Sequence, residues 1–257
     1  MSFIRNLLLS CSMLALGVAI AHPAQAFTLV TPPANDAAFE NLKLTGAFTE
    51  KFVAETRIGD SDAQGSAANR THEFNLQKVT QSPTGDLFSI LSQAQHQWKN
   101  GETLDFSLEY TGSLLNYRVN NQLIGSSAVV GGLTDLFLRT RSANRSDILL
   151  SNLSLTDTKG TQTLSNLGSS TDTAGASDID YLHIRGIQGA FTFTGKSTVN
   201  WKDMTPRNSA LAYQIKLGTS PVEPPPARVP EPGAIAALGA VGSAALLRRK
   251  AKKIQAI

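Results

Sequence analysis

The sequence predicts an all-β protein: a single β-sandwich flanked by an N-terminal signal peptide and a short C-terminal transmembrane helix. Three observations carry this. The middle of the 257-residue chain is rich in Ser, Thr, Asn and Gly, which favours strands joined by turns. Apolar and polar residues alternate at period two where the pattern is clearest, between Glu102 and Tyr110. Apolar stretches lie near both ends, each beside basic residues.

The chain opens with Arg5, an apolar run from Leu7 to Ile20, and then Ala24-Gln25-Ala26. This order of basic, apolar and small-x-small residues predicts a signal peptide over 1–26, cleaved by signal peptidase between Ala26 and Phe27. The apolar run is short for a membrane span, and Pro23 breaks a helix just before the cleavage site. Leu8-Leu9-Ser10-Cys11 resembles a lipobox, but most of the apolar stretch lies after Cys11 rather than before it.

Residues 27–220 read as the exported domain. Leu104, Phe106, Leu108 and Tyr110 share one face of a strand, with Thr103, Asp105, Ser107 and Glu109 on the other. Thr111-Gly112-Ser113 turns into a returning strand over Leu114 to Val119. Asn120-Asn121 turns again into Gln122-Leu123-Ile124. Further strands are expected over Thr134 to Thr140, Ile148 to Leu155, Tyr181 to Ile184, Ala190 to Thr194 and Ala210 to Leu217. The stretch Asp86 to Gln95 reads as helix or strand. Ser165 to Ser177 reads as a Gly-, Ser- and Thr-rich loop. Short strands separated by turns predict a sandwich with jelly-roll topology. Neither Pro83 nor Gly85 marks a boundary, and no repeat of fixed period is present, so one domain is expected.

After the domain come a proline-rich linker over 221–228 and a tail over 229–257. The tail runs Val229-Pro230-Glu231-Pro232-Gly233, then an apolar segment from Ala234 to Leu247, then Arg248-Arg249-Lys250-Ala251-Lys252-Lys253. As a helix, about 15 apolar residues span ~22 Å, which basic ends can extend by snorkelling. The basic block is expected on the cytoplasmic side. In this order the blocks resemble a PEP-CTERM sorting signal. The resemblance implies that Pro230, Glu231 and Pro232 are read by an exosortase, a membrane-embedded cysteine protease, after a transient inner-membrane stage. The implied destination is the cell surface or the medium of an exopolysaccharide-making bacterium.

A second resemblance lies in the domain. Trp98-Lys99-Asn100-Gly101-Glu102, Phe106 to Tyr110 and Tyr117-Arg118-Val119-Asn120-Asn121 are similar to exported β-domains of the choice-of-anchor type, and to concanavalin-like jelly rolls. Neither resemblance brings a catalytic motif onto these residues.

Charge and cysteine usage exclude several classes. The whole chain carries a formal +3, but Phe27 to Ala227 holds 8 Lys and 8 Arg against 12 Asp and 7 Glu, a net −3. The basic excess therefore belongs to the ends, and no basic cluster suited to nucleic acid is expected in the domain. Cys11 is the only cysteine and precedes the cleavage site, which excludes disulfides, thiolate zinc sites and thiol nucleophiles from the domain.

No nucleophile elbow and no phosphate-binding loop is present. His72, His96 and His183 lack metal-ligand spacing and read as structural. Asp60 with Asp62, and Asp178 with Asp180, place two acids at i and i+2. Such pairs in loops can hold Ca²⁺, though neither completes a calcium-binding loop. No catalytic residue, resident metal or cofactor is therefore assigned. Trp98 and Trp201 are the candidates for stacking on sugar rings, against the alternative of core packing. The expected function is that of a non-enzymatic structural or adhesive module associated with exopolysaccharide. The alternatives are a carbohydrate-binding module or a glycan-active enzyme using two of the carboxylates.

Overall fold

The computed structural model describes residues 27–59, 73–82, 85–203, 205–207 and 209–221. The signal peptide with its Ala26–Phe27 cleavage site, the sorting motif Pro230-Glu231-Pro232 and the apolar tail segment lie wholly or in part outside these residues. No helix among the described residues is long and apolar enough to cross a membrane.

The described chain is mostly strand. In order it forms β1 (Thr28–Val30), α1 (Asp36–Leu44), β2 (Thr49–Ile58), β3 (Phe74–Thr80), β4 (Leu87–Ala94) and β5 (Thr103–Tyr110). There follow β6 (Leu114–Val119), β7 (Gln122–Ala128), β8 (Asp135–Ala143), β9 (Ser146–Asp157) and β10 (Gly160–Thr163). The last are β11 (Leu167–Ser170), β12 (Ser177–Arg185), β13 (Phe191–Trp201) and β14 (Leu211–Thr219). The first sheet has the order β1-β12-β8-β14-β2-β3-β4. The second has β10-β9-β13-β5-β6-β7, with β11 also pairing with β9. Every pairing is antiparallel.

Alternation decides which side chains meet between the sheets. In β5, Leu104, Phe106, Leu108 and Tyr110 are buried, as the period-two pattern predicts. They share one core with Phe52, Ala54 and Ile58 of β2 and with Leu211, Tyr213, Ile215 and Leu217 of β14. Phe106 meets Tyr213 across the two sheets at 5.2 Å between ring centroids. Burying a side chain of this size stabilises by about 1.5–3 kcal/mol, so the cysteine-free sandwich is held by its core. A polar relay crosses the core: the Tyr117 hydroxyl lies 3.0 Å from Thr56 Oγ1 and 3.1 Å from the Tyr213 hydroxyl. All three side chains are buried, so each hydroxyl needs the others.

The turns follow their residues. Asn120 and Asn121 have φ of 47° and 63° and join β6 to β7, the left-handed pair that a two-residue hairpin requires. Asn144 and Arg145, at 58° and 59°, turn the chain from the first sheet to the second, where Ser146 Oγ donates to the Ala143 carbonyl at 2.7 Å.

Several expectations are corrected. Of the two readings left open for Asp86 to Gln95, the strand is the one formed, as β4. The expected Ser165 to Ser177 loop contains β11, whose backbone pairs with β9. Helix α1 lies where only strands were expected. Pro32-Pro33 end the preceding strand, the Asn35 side chain accepts from the Ala38 amide at 2.9 Å, and Asp36 and Lys43 sit at the ends that suit the helix dipole. Phe39 fastens it by entering a second, smaller cluster with Phe48, Phe137 and Tyr181 on the outer face of the first sheet, with Leu42 packed against the same cluster.

Candidate ligand cleft on the outer face of the first sheet

The outward positions of the first sheet are unusually polar and unusually buried. Register places Tyr181, Arg139, Gln214, Glu55 and Asn75 in one row across five strands. The neighbouring row holds Ile179, Arg141, Ala212 and Arg57. Beside these rows lies an open cleft of about 290 Å³, bounded on one side by the start of α1.

Most charges in the cleft are already committed. Arg139 grips Asp36 with two bonds of 2.7 Å, and the Tyr181 hydroxyl donates to the same carboxylate at 2.6 Å. Burial pushes the Asp36 carboxyl up, but the bonds from Arg139 and Tyr181 outweigh it and hold the group below the ordinary carboxylate value. Burial and the adjacent Asp36 push the Tyr181 hydroxyl far up, so it remains a donor. Glu55 accepts from Gln77 at 3.0 Å and from Gln214 at 2.5 Å, and pairs with Arg57 at 2.5 Å. Deeper under α1, Glu50 lies between Lys216 at 3.1 Å and Lys43 at 3.4 Å.

Arg141 differs. Its Nε is buried and has no hydrogen-bond partner among the described residues. It faces Arg57 across Ala212, a separation of about 10 Å at the ordinary strand spacing. The small Ala212 side chain leaves the floor between them open. A guanidinium presents donors in a planar fork that matches a carboxylate. Arg141 lines the cleft and makes no ion pair with the described residues, so its guanidinium is the group there whose chemistry suits a carboxylate.

The residues singled out from sequence lie elsewhere. Trp98 is 3% exposed, with Phe74 and His96 edge-on to it at 5.9 and 5.0 Å. A ring so deeply buried offers no face to a sugar, so this candidate is corrected to a core residue. Trp201, half-buried at the end of β13, packs partly on the core. Asp60, Asp62 and His72 lie outside the described residues. Asp178 and Asp180 stand on β12, not in a loop. Asp178 accepts from the Ser170 amide and Asp180 from Ser169 Oγ. Burial and the neighbouring Asp178 raise the Asp180 carboxyl above its ordinary value. Among the described residues, no group of three His, Cys, Asp or Glu side chains is arranged to hold a metal. His96 pairs with Glu102 at 3.1 Å, and His183 lies on Phe137 at 3.7 Å while bonding Asp135 at 3.3 Å.

Sequence reading missed Arg141 because the signal is in the register. Nothing in Arg139-Thr140-Arg141 says that one arginine meets a carboxylate and the other does not. Fold and cleft together define an all-β protein of two antiparallel sheets with a polar cleft on one outer face. No protein-family model matches the chain. No curated protein matches it either.

Proposed function

We propose that this chain is an exported cell-surface or matrix protein, a non-enzymatic adhesive module associated with exopolysaccharide. The observation that carries the reading is the order of blocks at the chain end: Pro230-Glu231-Pro232, an apolar segment, then a basic terminus. That order resembles a PEP-CTERM signal, and an exosortase is the proposed processing partner. The compact β unit ends at Ser220, directly before the proline-rich linker, which suits a module delivered by a removable tail. We read its topology as jelly-roll-like, in keeping with sugar-binding sandwiches. The test is intact mass of the protein from the producing bacterium. A species beginning at Phe27 and ending near Pro230-Glu231-Pro232, lost when the exosortase is deleted, is the expected result. A full-length C-terminus retained in the membrane overturns it.

The cleft favours a second, compatible reading as a carbohydrate-binding module for acidic polysaccharide. Arg141 supplies the unmatched donor, and uronic acid carboxylates supply the acceptor. Co-sedimentation with polygalacturonate is expected for the wild type, weakening as salt rises. It is expected to fall at least tenfold in Arg141→Ala, about 1.4 kcal/mol or more. Equal binding by Arg141→Ala, or equal binding to neutral dextran, removes the reading.

A further inference from the structure

Strand β4 is the outermost strand of the first sheet beside β3, and its free edge is exposed and apolar. Leu87, Phe88, Ile90 and Leu91 are 66%, 51%, 52% and 41% exposed. From Leu87 to Trp98 the chain has neither a charged residue nor a proline. Natural edges are usually kept from pairing by Lys, Pro, short length or a bulge. This strand of eight residues keeps one such device, a bulge at Leu91 where the register with β3 slips. Leu87 to Ile90 remains regular against Thr80 to Gln77. The strand is also held firmly from within. Gly125 of β7 lies so close that an added Cβ would sit 1.8 Å from Ser92 Oγ.

We propose that this edge pairs antiparallel with β4 of a second copy of the chain, about a two-fold axis at Ser89. The two seven-stranded sheets then become one continuous sheet. With that axis, Phe88 faces Ile90 of the partner subunit, Ile90 faces the partner's Phe88, and Leu87 faces the partner's Leu91. From Leu87 to Leu91 every opposed position is apolar or Ser, so within this stretch the two strands set no charge against each other. A partner strand bearing charges would set them against uncovered apolar side chains. Lys78, beside Ser89 on β3, lies three strand spacings from its equivalent. That is about 14 Å, beyond the ~8 Å screening length at physiological salt. The outer face has room for the incoming side chains, in an open groove of about 540 Å³ between Phe88 and Leu44, where the charges of Glu40, Lys43 and Asp86 are paired with one another. Because the same patch is used on both copies, the pairing closes at a dimer.

Sedimentation velocity of the full chain, carrying Cys11→Ser, tests this over a range of concentrations. A monomer–dimer equilibrium is expected. It is expected to disappear in Phe88→Lys and Ile90→Lys, with unchanged far-ultraviolet circular dichroism, and to persist in Val130→Lys. Ser89→Cys, which leaves the apolar side chains in place, is expected to form a covalent dimer on mild oxidation, since opposed antiparallel residues lie within disulfide reach. The Ser89→Cys result decides the matter if the lysine variants fail to fold. Any of three results overturns the proposal: a monomer at every concentration, open-ended assembly, or cross-linking no faster at Ser89→Cys than at Leu149→Cys.

Discussion

Glu50→Ala is expected to lower the stability of the protein to urea by about 3–5 kcal/mol, the cost of breaking a buried ion pair from one side. Glu50 is 1% exposed and is the carboxylate that Lys216 reaches, at 3.1 Å. Lys216 is itself buried, with Phe39 of α1 over it at 4.8 Å from the ring centroid. Removing Glu50 strands that ammonium beneath the helix. Lys43 suffers less, because it also reaches Glu40 at 2.8 Å and Asp86 at 2.5 Å. The double variant Glu50→Ala/Lys216→Met removes both charges and is expected to recover most of the loss. A loss below about 1 kcal/mol in the single variant would mean that the ammonium escapes to water, as exposed pairs allow.

Asp135→Asn is expected to lose about 2–4 kcal/mol at pH 7, from several charge-assisted hydrogen bonds weakened together. The carboxylate accepts from Thr134 Oγ1 at 2.7 Å, from Ser220 Oγ at 2.6 Å and from the Ser220 amide at 3.2 Å, and lies 3.3 Å from His183 Nε2. Arg185 stands at 3.9 Å. Burial pushes this carboxyl up, but the bonds from His183, Ser220 and Thr134 outweigh it and hold it below its ordinary value. A group depressed in the folded state contributes fully above its unfolded value, about 3.9 for Asp, and loses that contribution as pH falls through its folded value. The gap between wild type and variant is therefore expected to be constant at neutral pH and to close below about pH 4. A gap already closed at pH 5 overturns this assignment. Urea midpoints measured for both proteins at pH 7, 5 and 3 decide it.

What was legible in the sequence was the alternation. Strands β5 and β6 and the Asn120-Asn121 hairpin follow from residue order alone, because one face is apolar and the other wet. The outer face of the first sheet was not legible for the opposite reason. In β8, Leu136, Phe137, Leu138 and Arg139 are all buried, so the wet half of the pattern is absent. The cover is α1, a helix of only nine residues, too short for a helical period to stand out, in which Phe39 alone is fully buried. With the helix unseen, the buried polar rows beneath it, and Arg141 at their margin, had no signature in the chain. For Trp98 residue order left sugar stacking and core packing both open, and its ring packs in the core under Phe74 and His96.

The position of β14 has a mechanical consequence. It is the last strand, yet it lies inside the first sheet between β8 and β2, and Asp135 ties down the residue that follows it. Force applied to the chain beyond Ser220 enters along a nine-residue strand paired on both sides. Antiparallel ladder bonds run perpendicular to their strands, so such a pull loads both ladders in shear, many bonds at once. Toward the N-terminus, β1 pairs through three residues with β12 alone, so a pull there loads a single short ladder with few bonds to share the force. Resistance to forced unfolding is set by the height of the unfolding barrier rather than by equilibrium stability. The fold thus resists a force applied beyond Ser220 better than one applied before Thr28.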